Sequence, residues 1–144
     1  MQGEYKADVS PSECWSRLSD HPNAFLVDVR TRPEWTFVGI PRLESAGKRP
    51  ILAEWQTFPS MSIDPNFATT VADAIEKAGG DRDAEIYFLC RSGQRSASAA
   101  AMMTAHGFAN CFNIAGGFEG PPDEAGHRGQ RAGWKADGLP WQQS

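Results

Sequence analysis

Only six residues separate a strand-like run from a helix-like run near the middle of the chain, and that junction limits the fold more than any other stretch. Ile86-Tyr87-Phe88-Leu89 is apolar and reads as a buried strand, while Ser96-Ala97-Ser98-Ala99-Ala100-Ala101-Met102-Met103 is rich in helix formers. Between them lies Cys90-Arg91-Ser92-Gly93-Gln94-Arg95. A tight strand-to-helix turn of this kind belongs to βα units, and it gathers backbone N–H groups at the positive end of a helix dipole. The natural anion here is the sulfur of Cys90. Helix N-termini and neighbouring arginines favour thiolate over thiol, and Arg91 and Arg95 are such neighbours, so Cys90 reads as a nucleophile. The plainer alternative is a cysteine that ends a buried strand. It leaves unexplained two arginines, a glycine and small polar residues within five positions, all unsuited to a core.

The flanking sequence repeats the same grammar. Ser10-Pro11-Ser12-Glu13 forms a capping-box pattern that opens a helix through Cys14, Trp15 and Leu18. Phe25-Leu26-Val27-Asp28-Val29 reads as a strand, and Thr31-Arg32-Pro33-Glu34 caps a short helix carrying Trp35. Phe67, Val71, Ile75 and Ala78 recur at helical spacing before the stop at Gly79-Gly80. The helix after the Cys90 turn is expected from about Ser96 to His106, and Cys111-Phe112-Asn113-Ile114 makes a further strand before Gly116-Gly117. Alternating strands and helices predict an α/β fold with a mainly parallel sheet, whose ligands bind at the carboxyl ends of the strands, where Cys90 falls.

At this point the chain resembles the rhodanese-like family of sulfurtransferases. Their active loop has the form Cys-Arg-x-Gly-x-Arg/Thr, matched by Cys90, Arg91, Gly93 and Arg95. Asp28-Val29-Arg30 is similar to the family's Asp-x-Arg, and Gly116-Gly117-Phe118 to its late Gly-Gly turn. The resemblance spans residues 8–120 and implies a rhodanese-like domain with helices on both faces of the central sheet. It also implies that Cys90 takes a sulfane sulfur from an anionic donor such as thiosulfate, holds it as a persulfide, and passes it to a thiophilic acceptor. That acceptor would be cyanide, a thiol or a sulfur-accepting protein, and no metal or organic cofactor is needed. N–H groups from Arg91 to Ser96 would hold the persulfide charge, with Ser92 and Gln94 adding hydrogen bonds, and Arg91 and Arg95 would attract the donor and stabilise departing sulfite. Asp28 and Arg30 are supporting candidates. Asp28 orients a loop arginine, or else is a capping or solvated carboxylate.

Two rival functions remain open. A persulfide relay or regulatory module would use the same cysteine but receive sulfur from a docked protein. A small cysteine phosphatase or arsenate reductase would need Cys-x5-Arg, whereas position 96 is Ser96 and Arg95 gives the tighter Cys-x4-Arg. One stretch departs from the family pattern: Gly39-Ile40-Pro41-Arg42-Leu43 stands where rhodaneses often carry Gly-His-Ile-Pro-Gly-Ala. In the segment that follows, Trp55 and Phe58 are expected to pack on the sheet, with a rim or lid over the loop as the alternative.

The whole chain bounds these readings. Its 144 residues suit one domain at 1–120, followed by an irregular extension at 121–144 that Trp134 and Trp141 pin to the same domain. A formal charge of -4 argues against nucleic acid as a partner. No run approaches a membrane span, and Met1–Lys6 lacks the order of a leader peptide, so a cytoplasmic address is expected. Three widely spaced cysteines suit a reducing compartment. Cys14 and Cys111 are expected to be buried and inert, with Cys111 as a resolving thiol the alternative. Glu119, Asp123, Glu124 and His127 lack metal-ligand spacing, and His106 is expected to answer a helix C-terminus rather than act as a base.

Overall fold

A computed structural model describes residues 4–143; Met1–Gly3, within the stretch tested above for a leader peptide, lie outside the described residues, as does Ser144. The elements in chain order are β1 (Ala7–Val9), α1 (Pro11–Asp20), β2 (Ala24–Asp28), α2 (Arg32–Phe37), β3 (Ile40–Pro41), β4 (Ile51–Leu52), β5 (Gln56–Thr57), β6 (Ser62–Ile63), α3 (Phe67–Lys77), β7 (Glu85–Leu89), α4 (Gln94–Ala105), β8 (Cys111–Ile114) and β9 (Trp141–Gln142). Five strands make one sheet in the order β1-β8-β7-β2-β4, and every pairing in it is parallel. The α/β architecture with a parallel central sheet and flanking helices is thus the one its motif order predicts.

β7 is the central strand. Phe88 sits opposite Val27 on one side and Asn113 on the other. Side chains along β2 and β7 alternate between two cores, as strand geometry requires. Phe25, Val27, Ile86 and Phe88 pack with Val71 and Ile75 of α3 and Ala99, Ala100 and Met103 of α4. Leu26, Tyr87 and Leu89 face the opposite side and pack with Cys14 and Leu18 of α1 and with Trp134. Burial on both faces explains why these strands read as continuous apolar runs rather than alternating ones.

Local chemistry sets the helix ends. At α1 the Ser10 hydroxyl accepts the Glu13 N–H, while the Glu13 carboxylate accepts the Ser10 N–H. α4 begins at Gln94, two residues ahead of its expected start, because Gly93 takes φ 118° and turns the chain directly into the helix. His106 follows α4, with its ring Nδ1 2.9 Å from the Met102 carbonyl, away from the Cys90 end of the helix.

The divergent segment and the extension meet each other. β3 pairs antiparallel with β9, matching Ile40 to Gln142 and Pro41 to Trp141. The Trp134 side chain is fully buried, donates its ring N–H to Pro140 O at 2.7 Å, and meets Trp15 edge-on. Trp141 stays 39% exposed, so it covers Phe118 from outside rather than filling a core. Trp55 is buried against Phe67, as expected, but Phe58 is 58% exposed near the turn of the β5–β6 hairpin and does not pack on the sheet.

Because Trp134 is a fully buried member of one core, supplied by a segment without long helix or strand, Trp134→Ala is expected to lower unfolding free energy by about 3 to 5 kcal/mol. Urea denaturation checks this. A loss below about 1 kcal/mol would mean that the extension contributes little to the fold.

Candidate active site

The loop between β7 and α4 is built around one sulfur. Cys90 directly follows β7 with 1% exposure, and the Gly93 N–H reaches back to donate to its Sγ at 3.0 Å. Ser96, in the first turn of α4, places its hydroxyl 3.2 Å from the same sulfur. Arg91, Ser92 and Gln94 are exposed at the rim, whereas Arg95 is half-buried.

A second segment fixes the loop from behind. Phe118 N–H donates to Cys90 O at 2.8 Å, and the N–H groups of Glu119 and Gly120 both donate to Arg91 O at 3.0 Å. These carbonyls are committed outward, which leaves the loop's amide edges for the sulfur. The approach requires Gly117: a Cβ there would lie 2.5 Å from Cys90 O and 2.6 Å from the Arg91 carbonyl carbon, and its φ is +64°. The C-terminal extension supports this segment in turn, since Trp134 N–H donates to Gly117 O and Lys135 N–H to Phe118 O.

The two arginines of the loop have different environments. Arg95 forms a bidentate pair with Glu34, Nη1 to Oε1 at 2.7 Å and Nη2 to Oε2 at 3.0 Å. Burial works against the Glu34 charge, but Arg95, with the Thr31 N–H and hydroxyl, outweighs it and holds the carboxyl below its usual range. Burial likewise opposes the Arg95 charge and is outweighed by the Glu34 bonds, which keep the guanidinium firmly protonated. Glu34 therefore has two tasks, as the capping-box acid of α2 and as the partner of Arg95. Its spacing from Thr31 announced the first and gave no sign of the second.

Asp28 and Arg30 are placed differently from either sequence expectation. Asp28 neither binds a loop arginine nor lies in solvent. Its carboxylate is fully buried and takes Arg30 Nε at 2.9 Å and Nη2 at 2.6 Å. Arg30 Nη2 also donates to Gly39 O, and the guanidinium lies 4.3 Å from the centre of the Phe118 ring. The pair thus ties the end of β2 to the start of β3 and braces the residue that hydrogen-bonds Cys90. Asp28 and Gly39 O thus occupy Nε and Nη2 of Arg30, while its buried Nη1 has no hydrogen-bond partner.

Asn113 and its partner Asp8 are not singled out by the sequence as part of the site. Asn113 of β8 lies against the loop, its Oδ1 2.5 Å from Ser96 Oγ, and its Nδ2 donates to Asp8 of β1 at 3.0 Å. A buried Asn inside the apolar strand Cys-Phe-Asn-Ile was the available signal, since such an amide needs partners. The other two cysteines are remote. Burial raises both thiols, Cys111 to about 11 and Cys14 further, and Cys111 S–H donates to Phe108 O. Among the described residues no group of three or more potential metal ligands gathers, and the Asp123 carboxylate is occupied by the N–H groups of Ala125 and His127.

A parallel sheet with a buried cysteine on its central strand-loop-helix turn, and a backbone donor aimed at the sulfur, defines an α/β domain with one thiol at the start of a helix. The family model of the rhodanese-like domain matches residues 10–120, and the chain belongs to that family. A crystal structure of Rv0390 from M. tuberculosis superposes with a TM-score of 0.86 at 42% identity, covering 98% of this chain and 100% of that one. The uncharacterized protein RC0915 of Rickettsia conorii is 42% identical over 94% of this chain and 96% of its own length. The adenylyltransferase and sulfurtransferase UBA4 of Candida albicans is 32% identical over 79% of this chain, but only 23% of that longer protein is covered.

The Glu34–Arg95 pair yields a pH prediction. With a folded pKa below the ordinary value of 4.5, Glu34 contributes stability that is fully present above that value. The contribution is lost as pH falls through the folded value. Glu34→Gln should cost about 1.5 to 3 kcal/mol at neutral pH, and the deficit should shrink as pH falls below the ordinary value and through the lowered folded one. Chemical denaturation of both proteins across that range checks it. A deficit that stays constant with pH would contradict the charge-based account.

Proposed function

We propose that this protein is a sulfurtransferase that carries sulfane sulfur on Cys90 and takes it from a small anionic donor of the thiosulfate type. The observation that supports this best is the Cys90 sulfur lying within a six-residue turn, with the Gly93 N–H directed at it. Membership of the rhodanese-like family and the sulfurtransferase named among the relatives agree with it.

In the first step the Cys90 thiolate attacks the outer sulfur of thiosulfate. A new S–S bond forms to Sγ, the donor's S–S bond breaks, and its electron pair leaves with sulfite. The charge of the resulting persulfide rests on its terminal sulfur, at the positive end of α4 and among the loop amides. In the second step a thiophilic acceptor, such as cyanide, a thiol or a thiol-bearing protein, attacks that terminal sulfur and the Cys90 thiolate is regenerated. The chain's own residues supply the nucleophile and its electrostatic support, so the cycle calls for no metal or organic cofactor. A reducing, cytoplasmic setting suits a thiol that must remain free, and all three cysteines are unpaired.

The ring size favours sulfur over phosphorus. Cys90 to Arg95 is one residue tighter than a phosphate-binding Cys-x5-Arg loop, and Arg95 already has both oxygens of Glu34 as partners. Arg91 is left as the exposed cation at the rim, suited to draw in a dianionic donor and to stabilise departing sulfite.

Thiocyanate formation from thiosulfate and cyanide tests this reading. Cys90→Ser should abolish it, while Cys14→Ser and Cys111→Ser should retain it. Charge-assisted contacts are worth about 1.5 to 3 kcal/mol, so Arg91→Gly should slow thiosulfate use by roughly tenfold to a hundredfold and mercaptopyruvate use much less. Equal losses with both donors would remove the role given to Arg91. Turnover of an aryl phosphate that depends on Cys90 would replace the sulfurtransferase reading by a phosphatase. Slow reaction with thiosulfate beside fast loading from a protein persulfide would favour a relay module.

A further inference from the structure

A chain of hydrogen bonds runs from the edge strand to the Cys90 sulfur, and its direction is set at the far end. Tyr5 Oη–H donates to Asp8 Oδ1 at 2.7 Å, and Asn113 Nδ2 donates to the same oxygen at 3.0 Å. A carboxylate only accepts, so the amide of Asn113 must turn its NH2 toward Asp8 and its Oδ1 toward Ser96. Asn113 Oδ1 lies 2.5 Å from Ser96 Oγ, while Cys90 Sγ lies 3.2 Å from it. Ser96 has one proton. Asn113 Oδ1, which is close and a strong acceptor, takes it, leaving a lone pair of the Ser96 oxygen facing the sulfur.

That arrangement suits a thiol, whose S–H can donate to Ser96 Oγ. It does not suit a thiolate, which faces an oxygen lone pair unless Ser96 turns its proton to the sulfur. Turning it strips Asn113 Oδ1 of its partner, and Asn113 is only 6% exposed. An unpaired buried acceptor is costly, and Asn113 cannot flip to relieve it while Asp8 is a carboxylate. We propose that Asp8 and Asn113 are positioning residues that restrain Cys90 reactivity by holding the Ser96 hydroxyl away from the sulfur.

The restraint acts against the other features at the sulfur, namely the Gly93 N–H and the start of α4, which favour the anion. The charged groups on the elements packed about Cys90 are Arg91 and Arg95 on the loop and α4, Glu34 paired to Arg95 from α2, the Asp28–Arg30 pair at the end of β2, Asp8 beside Tyr5 at β1, Glu119 on the segment behind the loop, Lys135 over the Phe118 ring, and Glu85 paired to Arg17 at the far end of β7. Among these, Asp8 is the carboxylate that hydrogen-bonds Asn113 and so sets its orientation. In the proposed sulfurtransferase cycle, on which this consequence rests, the persulfide's Sγ carries no charge, so Ser96 keeps its bond to Asn113 and the relay favours the loaded form over the bare thiolate.

Alkylation by iodoacetamide reads the relay without any sulfur transfer. The S–C bond forms as iodide leaves, and only the thiolate reacts at an appreciable rate. The quantity measured is the rate at Cys90 near pH 7 divided by its plateau at high pH, which cancels differences in access. Asp8→Asn lies on an exposed edge strand and lets the amide chain reverse, so Asn113 Nδ2 donates to Ser96 and Ser96 donates to the sulfur. The ratio should rise about threefold to tenfold. Asn113→Ala, which frees the hydroxyl directly, should raise it similarly. In a Ser96→Ala background, Asp8→Asn should have no effect. An unchanged ratio in both single variants would overturn the proposal. An equal rise with and without Ser96 would also overturn it, because charge removal alone would then explain the effect. Failure of sulfur transfer with an intact alkylation response would count against the sulfurtransferase reading and not against the relay.

Discussion

The hydrogen bonds from Phe118, Glu119 and Gly120 to the carbonyls of Cys90 and Arg91 are the constraint on which the rest of the site depends. A six-residue turn can place its amides around a sulfur only if its carbonyls are satisfied elsewhere, since a buried carbonyl left unpaired would pull the loop into another shape. Gly117 makes the contact geometrically possible, and the extension makes it firm. Trp134 anchors that extension in the core while its backbone N–H holds Gly117 O, so the last part of the chain acts on the Cys90 turn through one intermediate segment.

Charge is partitioned around this frame. Asp28 and Arg30 neutralise each other with no exposure to solvent, Glu34 and Arg95 do so at the half-buried wall, and Arg91 remains at the rim. Breaking either pair would leave an uncompensated charge in poor solvent, which costs far more than the intact pair contributes. The consequence is a division of labour, in which the paired arginines shape the site and Arg91 is left exposed at its mouth, the position to which the proposed function assigns the anionic donor.

Much of this was legible because the relevant signals are local. The strand-loop-helix junction at 86–103, the capping boxes at Ser10 and Thr31 and the periodicity of Phe67, Val71 and Ile75 each express their structure within a few residues. What was not legible depends on partners distant in sequence. β1 has only three residues and becomes a strand because β8 is there to receive it. β3 and β9 are two residues each and exist only as a pair across the length of the chain. Glu34 was visible as a cap and invisible as the counter-ion of Arg95, 61 positions away. Asp28 illustrates the reverse, since its partner, Arg30, stands only two residues away in the sequence. Phe58 departs for a simpler reason: an aromatic residue near the turn of a short hairpin has no sheet face to cover.

The central claim is that Cys90, and neither of the other two cysteines, carries the sulfur. Its most direct test is the intact mass of the purified protein before thiosulfate, after thiosulfate and again after cyanide, with peptide mapping of the loaded form. The account predicts a gain of one sulfur atom on the peptide containing Cys90 and its removal by cyanide. No gain in mass, or a persulfide found mainly on Cys111 or Cys14, would contradict it.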